Sequence, residues 1–261
     1  MAARRVRRPG RGGTEAAGAE REFLDAYDPS RYDRPSVAVD VALLSVEAGA
    51  LRTLLVRREA HPGQGRWALP GGFLRLDEAL DAAAARVLSQ KAGLGGVFLE
   101  QLYTFGDPGR DPRTRVLSVA HYALVDLERF GAAAAHRSAG VEVGRLVIPW
   151  EGETGGPVEV VSDGGAPLPL AFDHADILGM AVKRLRGKLD YTPVGFQLLP
   201  AAFTLLALQR VHEAVLARPL NKDSFRRRML ASGQLEATGE SERDVDHRPA
   251  ELYRFWRRSA T

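Results

Sequence analysis

The chain has 261 residues, 45% of them apolar and 26% charged, with a formal net charge of +3 and a calculated pI near 9.4. That length and apolar share support two packed domains and exclude a disordered chain. The absence of cysteine excludes a disulfide framework, thiolate metal ligation and a cysteine nucleophile, and fits a reducing, cytoplasmic setting; no apolar run approaches the roughly 18 residues needed to span a bilayer.

In chain order, residues 1–34 begin with an arginine cluster (Arg4, Arg5, Arg7, Arg8, Arg11) that meets no acid before Glu15. With no apolar run behind the cluster, this stretch reads as a disordered basic tail and not a secretory signal. A sequence-independent phosphate-binding arm is its functional reading. Ordered structure is expected from Pro35. Ser36 to Val46 is dense in β-branched residues and reads as a buried strand; Gly49 marks a turn and Leu51 to Arg58 a second strand, so a hairpin is predicted. The Gly- and Pro-rich HPGQGRWALPGG reads as a loop. Asp77 to Lys91 is helical by propensity, stopped by Gly93 and Gly95. GGVFLEQLYTF and RVLSVAHYALV read as strands around the polar loop GDPGRDPRT, and WEGE and PVEVVSDG as loop or hairpin. Asp173 to Leu189 repeats Ile177, Val182, Leu185 and Leu189 at near-helical spacing. The alternation predicts a mixed α/β domain over 35–190.

Pro193 and Gly195 break this pattern, and 191–261 reads as a second domain. Thr204 is placed to cap a helix carrying Leu205, Leu208, Val211, Val215 and Leu216 on one face; Pro219 ends it. Asn221 is placed to cap KDSFRRRMLAS, which Gly233 stops. QLEATGE and AELYRFW read as two strands around the charged loop SERDVDHRP. The order is helix, turn, helix, wing. In the second helix Phe225, Met229 and Leu230 form an expected core stripe. Lys222, Ser224, Arg226 and Arg227 are left free to face double-stranded DNA, with a merely solvated face for Arg226, Arg227 and Arg228 as the other reading; Arg243 and Arg248 of the wing, and Thr204 at a helix N-terminus, are further candidate contacts. The acids Glu236, Glu240, Glu242, Asp244 and Asp246 crowd the wing and would hold its tip off a phosphate backbone.

Gly71 to Leu94 resembles the Nudix box, G-x5-E-x7-R-E-U-x-E-E-x-G-U with U aliphatic. Gly72, Glu78, Arg86, Leu88, Gly93 and Leu94 fill their positions, but Val87, Gln90 and Lys91 stand where three glutamates belong. Positions i, i+3 and i+4 share a helix face, where three carboxylates would hold hard cations and activate water. Valine, glutamine and lysine do not, so neither hydrolysis nor a metal or other cofactor is expected. Arg57, Arg58, Trp67, Arg110, Arg113 and Arg115 supply guanidinium and aromatic groups suited to a diphosphate and an adenine.

Tyr103 to Val125, LAFDHADIL, LLPAAFTLLALQRVHEAV, NKDSFRRRML and HRPAELYRF resemble the Nudix-related transcriptional regulators of NAD metabolism, over about Pro35 to Trp256. The resemblance implies an α/β Nudix-like sandwich, a mixed sheet with flanking helices, followed by a small α+β winged helix-turn-helix domain. It further implies a homodimeric repressor that binds palindromic operator DNA and senses ADP-ribose or a related NAD-derived nucleotide. On it, Tyr103, Phe105, Asp107, Arg110, Asp111 and Arg113 help line the ligand pocket, with Arg57, Arg58, Trp67, Gly71, Gly72 and Glu78 nearby. Glu78 and Arg86 have an ion pair as their other reading, and His121 that of a core histidine. A residual Nudix hydrolase of ADP-ribose or another nucleoside diphosphate derivative is the alternative.

Overall fold

The computed structural model describes residues 12–135, 140–243 and 248–256. Residues up to Pro35 form one unit and Ser36 onward another. Within the first, helix α1 (Gly12–Ala26) is followed by a 3-10 turn (Pro29–Arg31). The expectation of a disordered tail across 1–34 is corrected for Gly12 to Arg31. Thr14 to Ala26 is rich in alanine and glutamate, which favour helix, and Asp28 Oδ1 accepts from the Ser30 N–H at 2.9 Å to close the turn. The arginine cluster, Arg4 to Arg11, lies outside the described residues.

The second unit is built on a mixed sheet of β1 (Ser36–Glu47), β2 (Ala50–Arg57), β3 (Trp67–Ala68), β4 (Gly71–Phe73), β5 (Phe98–Phe105), β6 (Val116–Leu124), β7 (Val141–Val147) and β8 (Glu159–Val161). The order is β5-β6-β1-β2-β7-β8, with β3 added to β2 and β4 to β1. Among the described strands of this sheet the β1–β6 pairing is parallel and the other pairings are antiparallel. The short strands β3 and β4 replace part of the expected loop: Val56 pairs with Ala68 and Asp40 with Gly71. The region between β6 and β8, which the sequence left without elements, holds α3 (Leu127–Ala135) and β7.

Two-residue alternation along β1 divides the core. Val39, Val41 and Leu43 join Ala83, Ala84, Val87 and Leu88 of α2 (Leu80–Ala92) and Phe130 of α3 on one face. Ala42 and Leu44 join Ile177, Leu178, Ala181, Val182 and Leu185 of α4 (His174–Lys188) on the other. Each fully buried Leu or Ile contributes roughly 1.5–3 kcal/mol. Helices of this length are marginal alone, so the sheet holds them. The helix α2 starts three residues later than expected, after a turn in which the Glu78 N–H donates to the Arg75 carbonyl. It ends at Gly93, whose φ of 64° is the left-handed cap that glycine adopts freely.

The α4-side core does not stop at residue 190. It runs through Leu189, Val194 and Leu198 to Val211 and Val215 of α5 (Leu205–Leu216). A further cluster joins Phe196, Phe203, Leu205 and Leu208 to Phe225 and Met229 of α6 (Lys222–Ala231) and Tyr253 of β10 (Glu251–Phe255). β10 pairs with β9 (Leu235–Ser241), and Phe203 bonds both ways to Tyr253, closing a helix-helix-wing unit. Leu230, expected in the core stripe, is 45% exposed; Phe225 and Met229 at i and i+4 fill the core without it.

On α5, His212 is buried with no hydrogen-bond partner at Nδ1, edge-on to Phe225 at 5.0 Å. Burial, with help from Arg228, pushes its pKa down to about 4 from 6.5. The unfolded chain therefore takes up this proton first. The stabilisation is intact above pH 6.5 and is lost as pH falls toward 4. Denaturation at pH 7 and pH 5 should show a His212 contribution of about 2 kcal/mol lost at the lower pH. His212→Leu should remove that part of the acid sensitivity; an unchanged pH 7-to-5 difference would refute it.

Candidate ligand cavity and nucleic-acid interface

Asp40 is a carboxylate in the middle of β1, whose other charged residue, Glu47, ends the strand, and its side chain is only 10% exposed. Strand pairing surrounds it. Ser118 of β6 donates from Oγ to Asp40 Oδ2 at 2.5 Å. Gly71, its partner on β4, leaves the space that Asp40 Oδ1 occupies; any Cβ there would collide with the carboxylate. His174, at the start of α4, accepts the Leu69 N–H at Nδ1 (2.9 Å), so the neutral ring carries its hydrogen on Nε2, 3.7 Å from Asp40 Oδ1. Burial holds the His174 pKa below the usual range, against the opposing pull of Asp40 and Asp173.

The loop between β5 and β6 brings in the arginines. Arg110 reaches Asp173 through two bonds, 2.8 and 2.7 Å, and lies 3.7 Å from Asp40; its side chain is 4% exposed. Asp111 accepts from the Arg113 backbone and guanidinium at 2.7–3.0 Å, and the guanidinium bonds hold its carboxyl below the usual range. Arg58 lies over the Phe172 ring at 4.6 Å and donates from Nε to the Pro62 carbonyl. Burial, and then the like charge of Arg113, lower the Arg58 pKa. A phosphate would relieve that repulsion, and guanidinium forks match its oxygens.

These groups border two cavities that share Arg110 and Phe172. The smaller, about 170 Å³, is lined by Asp40, Arg58, Gly71, Gly72, Arg110, Asp111, Arg113 and His174. The larger, about 770 Å³, includes Arg66, Asp107, Gly109, Asp173 and Asp176 and lies in the size range of small-molecule sites. Of the predicted residues, Arg58, Gly71, Gly72, Asp107, Arg110, Asp111 and Arg113 thus come together. Arg57 borders a separate recess beside Arg58, and Phe105 another that shares Asp107 and Asp173. Trp67 lines none of these and packs against the α4-side core. Arg115 donates to the Gly106 carbonyl, and Tyr103 is exposed, edge-on to Phe105. His121 is a buried strand residue bonded to the Val119 carbonyl. Asp40, Ser118, Phe172, Asp173 and His174 also meet here without a sequence motif to mark them as site residues, although a lone carboxylate within an apolar strand is a signal.

The helix α2 is closed to metal chemistry. Glu78 also lines neither cavity: its carboxylate holds Arg86 at 2.6 and 2.7 Å, and Arg86 Nη2 donates to the Phe73 carbonyl. The ion-pair reading of Glu78 is the one this geometry supports. Val87 does not share an open face with Gln90 and Lys91 as expected. It is 1% exposed in the core beneath Gly72, whereas the other two are exposed. Among the described residues no three His, Cys, Asp or Glu side chains are grouped to hold a metal ion. The divalent cation implied by the box does not fit these residues.

On the C-terminal unit, the Asn221 side chain caps α6 by accepting the Ser224 N–H at 3.0 Å. Lys222, Ser224, Arg226 and Arg227 are all exposed on this helix. Arg228 faces Asp190 at 3.3 Å. Thr204 caps α5 as expected, its hydroxyl oxygen accepting the Ala207 N–H, and the residue is 7% exposed, which leaves little of its side chain for the expected phosphate contact. Arg243 and Arg248 are exposed in the wing loop; Asp244 and Asp246 lie outside the described residues. Glu236, on β9, pairs with Arg254 of β10 at 2.9 Å, holding the wing strands together.

The NUDIX domain family model matches residues 34–151, and the NrtR DNA-binding winged helix domain model matches residues 195–255. The ADPR-responsive transcriptional repressor NtrR of Acinetobacter baylyi is 38% identical over 239 residues, 91% of this chain and 88% of that protein. Shewanella oneidensis NrtR, solved with a 27mer DNA, is similar at a TM-score of 0.69 and 32% identity, over 84% of this chain and 93% of that one. A MutT/nudix family protein from Enterococcus faecalis, at 23% identity and a TM-score of 0.72, covers 96% of this chain and all of its own, and shares the fold.

Proposed function

Because the chain belongs to the NrtR family of Nudix-related transcriptional regulators, we propose that it is an ADP-ribose-responsive repressor of NAD-metabolism genes. One observation carries this reading: the similarity to an ADPR-responsive repressor runs through both the arginine-lined cavity and the helix-helix-wing unit. Arg58 and Arg113 take the diphosphate, the larger cavity beyond Arg110 and Phe172 takes the remainder of the nucleotide, and the exposed face of α6 enters the major groove of a palindromic operator. The protein acts in the cytoplasm as a homodimer, since a palindrome matches a two-fold axis. It is not a hydrolase. Val87 lies in the core, and Gln90 and Lys91 offer no carboxylate to a cation.

For an effector to release the operator, it must bind the DNA-free arrangement more tightly than the DNA-bound one. A gel shift with operator duplex should show release on adding ADP-ribose, and incubation of ADP-ribose with Mg²⁺ or Mn²⁺ should yield no AMP. Equal operator affinity with and without effector, or AMP at ordinary enzyme rates, would overturn the reading.

A further inference from the structure

Arg186 stands near the far end of α4, 13 residues or about 20 Å along the helix from Asp173. It is 5% exposed, and the described contacts give it no carboxylate. Its charge is instead shared among carbonyls of two other segments. Nε donates to the Val215 carbonyl at 2.8 Å, in the last turn of α5, where helix carbonyls lack intrahelical partners and favour a cation. Nη1 donates to Gly152 at 2.8 Å and Trp150 at 3.4 Å, and the guanidinium lies over the Trp150 ring at 4.8 Å.

The second of these segments, 150–156, reaches the cavity region. Thr154, Gly155 and Gly156 line a recess of about 390 Å³ together with Asp107, Asp173 and Asp176, residues that also border the larger cavity. The segment lies directly on α4: the Gly156 carbonyl fills the space a Cβ on Gly179 would need, Glu153 approaches Gly187, and Trp150 Nε1 donates to Gly156 at 3.1 Å. The helix α4 itself is pinned to β5, through Lys188 with Glu100 and Arg184 with the Leu102 carbonyl. The helix is held to the sheet on one side and meets segment 150–156 on the other.

We propose that segment 150–156 reports effector occupancy to the reading domain, with Arg186 as the positioning residue that ties its carbonyls to the C-terminal end of α5. A buried guanidinium that loses two of its three carbonyl partners is left poorly compensated. Loop placement and α5 placement are thereby linked, and α5 carries α6 through Leu208, Phe225 and Met229. The exposed Arg228–Asp190 pair also joins α6 to the end of α4, but such a pair is worth about fivefold at most. Allosteric factors run from about 5- to 150-fold, so the buried junction is the larger carrier. The inference rests on the effector response proposed above.

The test uses the full chain with Arg186→Met, Arg186→Lys and Trp150→Leu. Three quantities are measured: operator affinity without effector, ADP-ribose affinity, and the ratio of operator affinities with and without saturating ADP-ribose. In R186M and W150L the ratio should fall to within about twofold of unity, while each separate affinity stays within about fivefold of the parent. R186K, which reaches the same carbonyls with an ammonium, should restore part of the ratio. If R186M loses its cooperative melt, W150L, altered at a partly buried residue on the rim of the core, decides alone. A ratio preserved in the folded variants overturns this inference only; a parent protein with no effector response overturns the functional reading and this one with it.

Discussion

Replacing Arg226 and Arg227 together by glutamate should weaken operator binding by at least about thirtyfold without lowering the melting temperature. Each arginine contact to a base edge is worth about 1–3 kcal/mol, so loss of two sets that floor, and reversed charge adds repulsion from the phosphates. Both side chains are exposed on α6, opposite the buried Phe225 and Met229, so the core is untouched. The logarithmic dependence of affinity on salt should also become shallower, because fewer counterions are released. Arg228→Ala is the internal control. Its guanidinium is turned to Asp190 and the Phe225 ring, and its loss should change affinity only a few-fold. The measurement is fluorescence anisotropy with an operator recovered by selection from random duplexes. A double variant that binds as tightly as its parent would place the C-terminal unit against a protein partner instead.

The residues that made this interface legible are local ones. Asn221 and Thr204 are helix caps whose signatures need only the next three residues, and both caps form. The buried strand β1 was legible from its β-branched run, and the arginine loop from its motif. What escaped depends on long-range register. The strands β3 and β4 are two and three residues long and exist because β2 and β1 pair with them, so no periodicity marks them. The burial of Thr204 follows from the bonding of Phe203 to Tyr253, some fifty positions away in sequence. Val87 satisfies the arithmetic of a shared helix face with Gln90 and Lys91, yet the packing of α2 under Gly72 puts it at the core edge of that face. Asp40 was visible as a charge among apolar neighbours. Its partners were not, because Ser118 and His174 arrive from a strand and a helix 78 and 134 residues later.

That polar cluster is where one substitution should cost most. Arg110→Met keeps much of the side-chain volume but leaves Asp173 and Asp40 facing each other's side of the cavity without their shared cation. Removing one partner of a buried ion pair costs about 3–5 kcal/mol, largely the penalty of the charge left behind. For a unit of this size each kcal/mol lowers the melting temperature by about 2–4 °C, so a fall on the order of 10 °C is expected at neutral pH. The explanation makes a signed prediction about a second change. If the cost lies in stranded carboxylates, then adding Asp173→Asn to R110M must recover stability, although it removes yet another native group. Roughly half should return, because Asp40 still lacks its guanidinium while keeping the Ser118 hydroxyl. Asp173→Asn alone should be the mildest of the three, since Arg110 retains Asp40 and the Asp173 side chain makes no helix-cap hydrogen bond that could be lost. Thermal denaturation of the four proteins forms a double-mutant cycle. A double variant less stable than R110M would mean that the arginine acts by packing, and the electrostatic account of the cavity would fail.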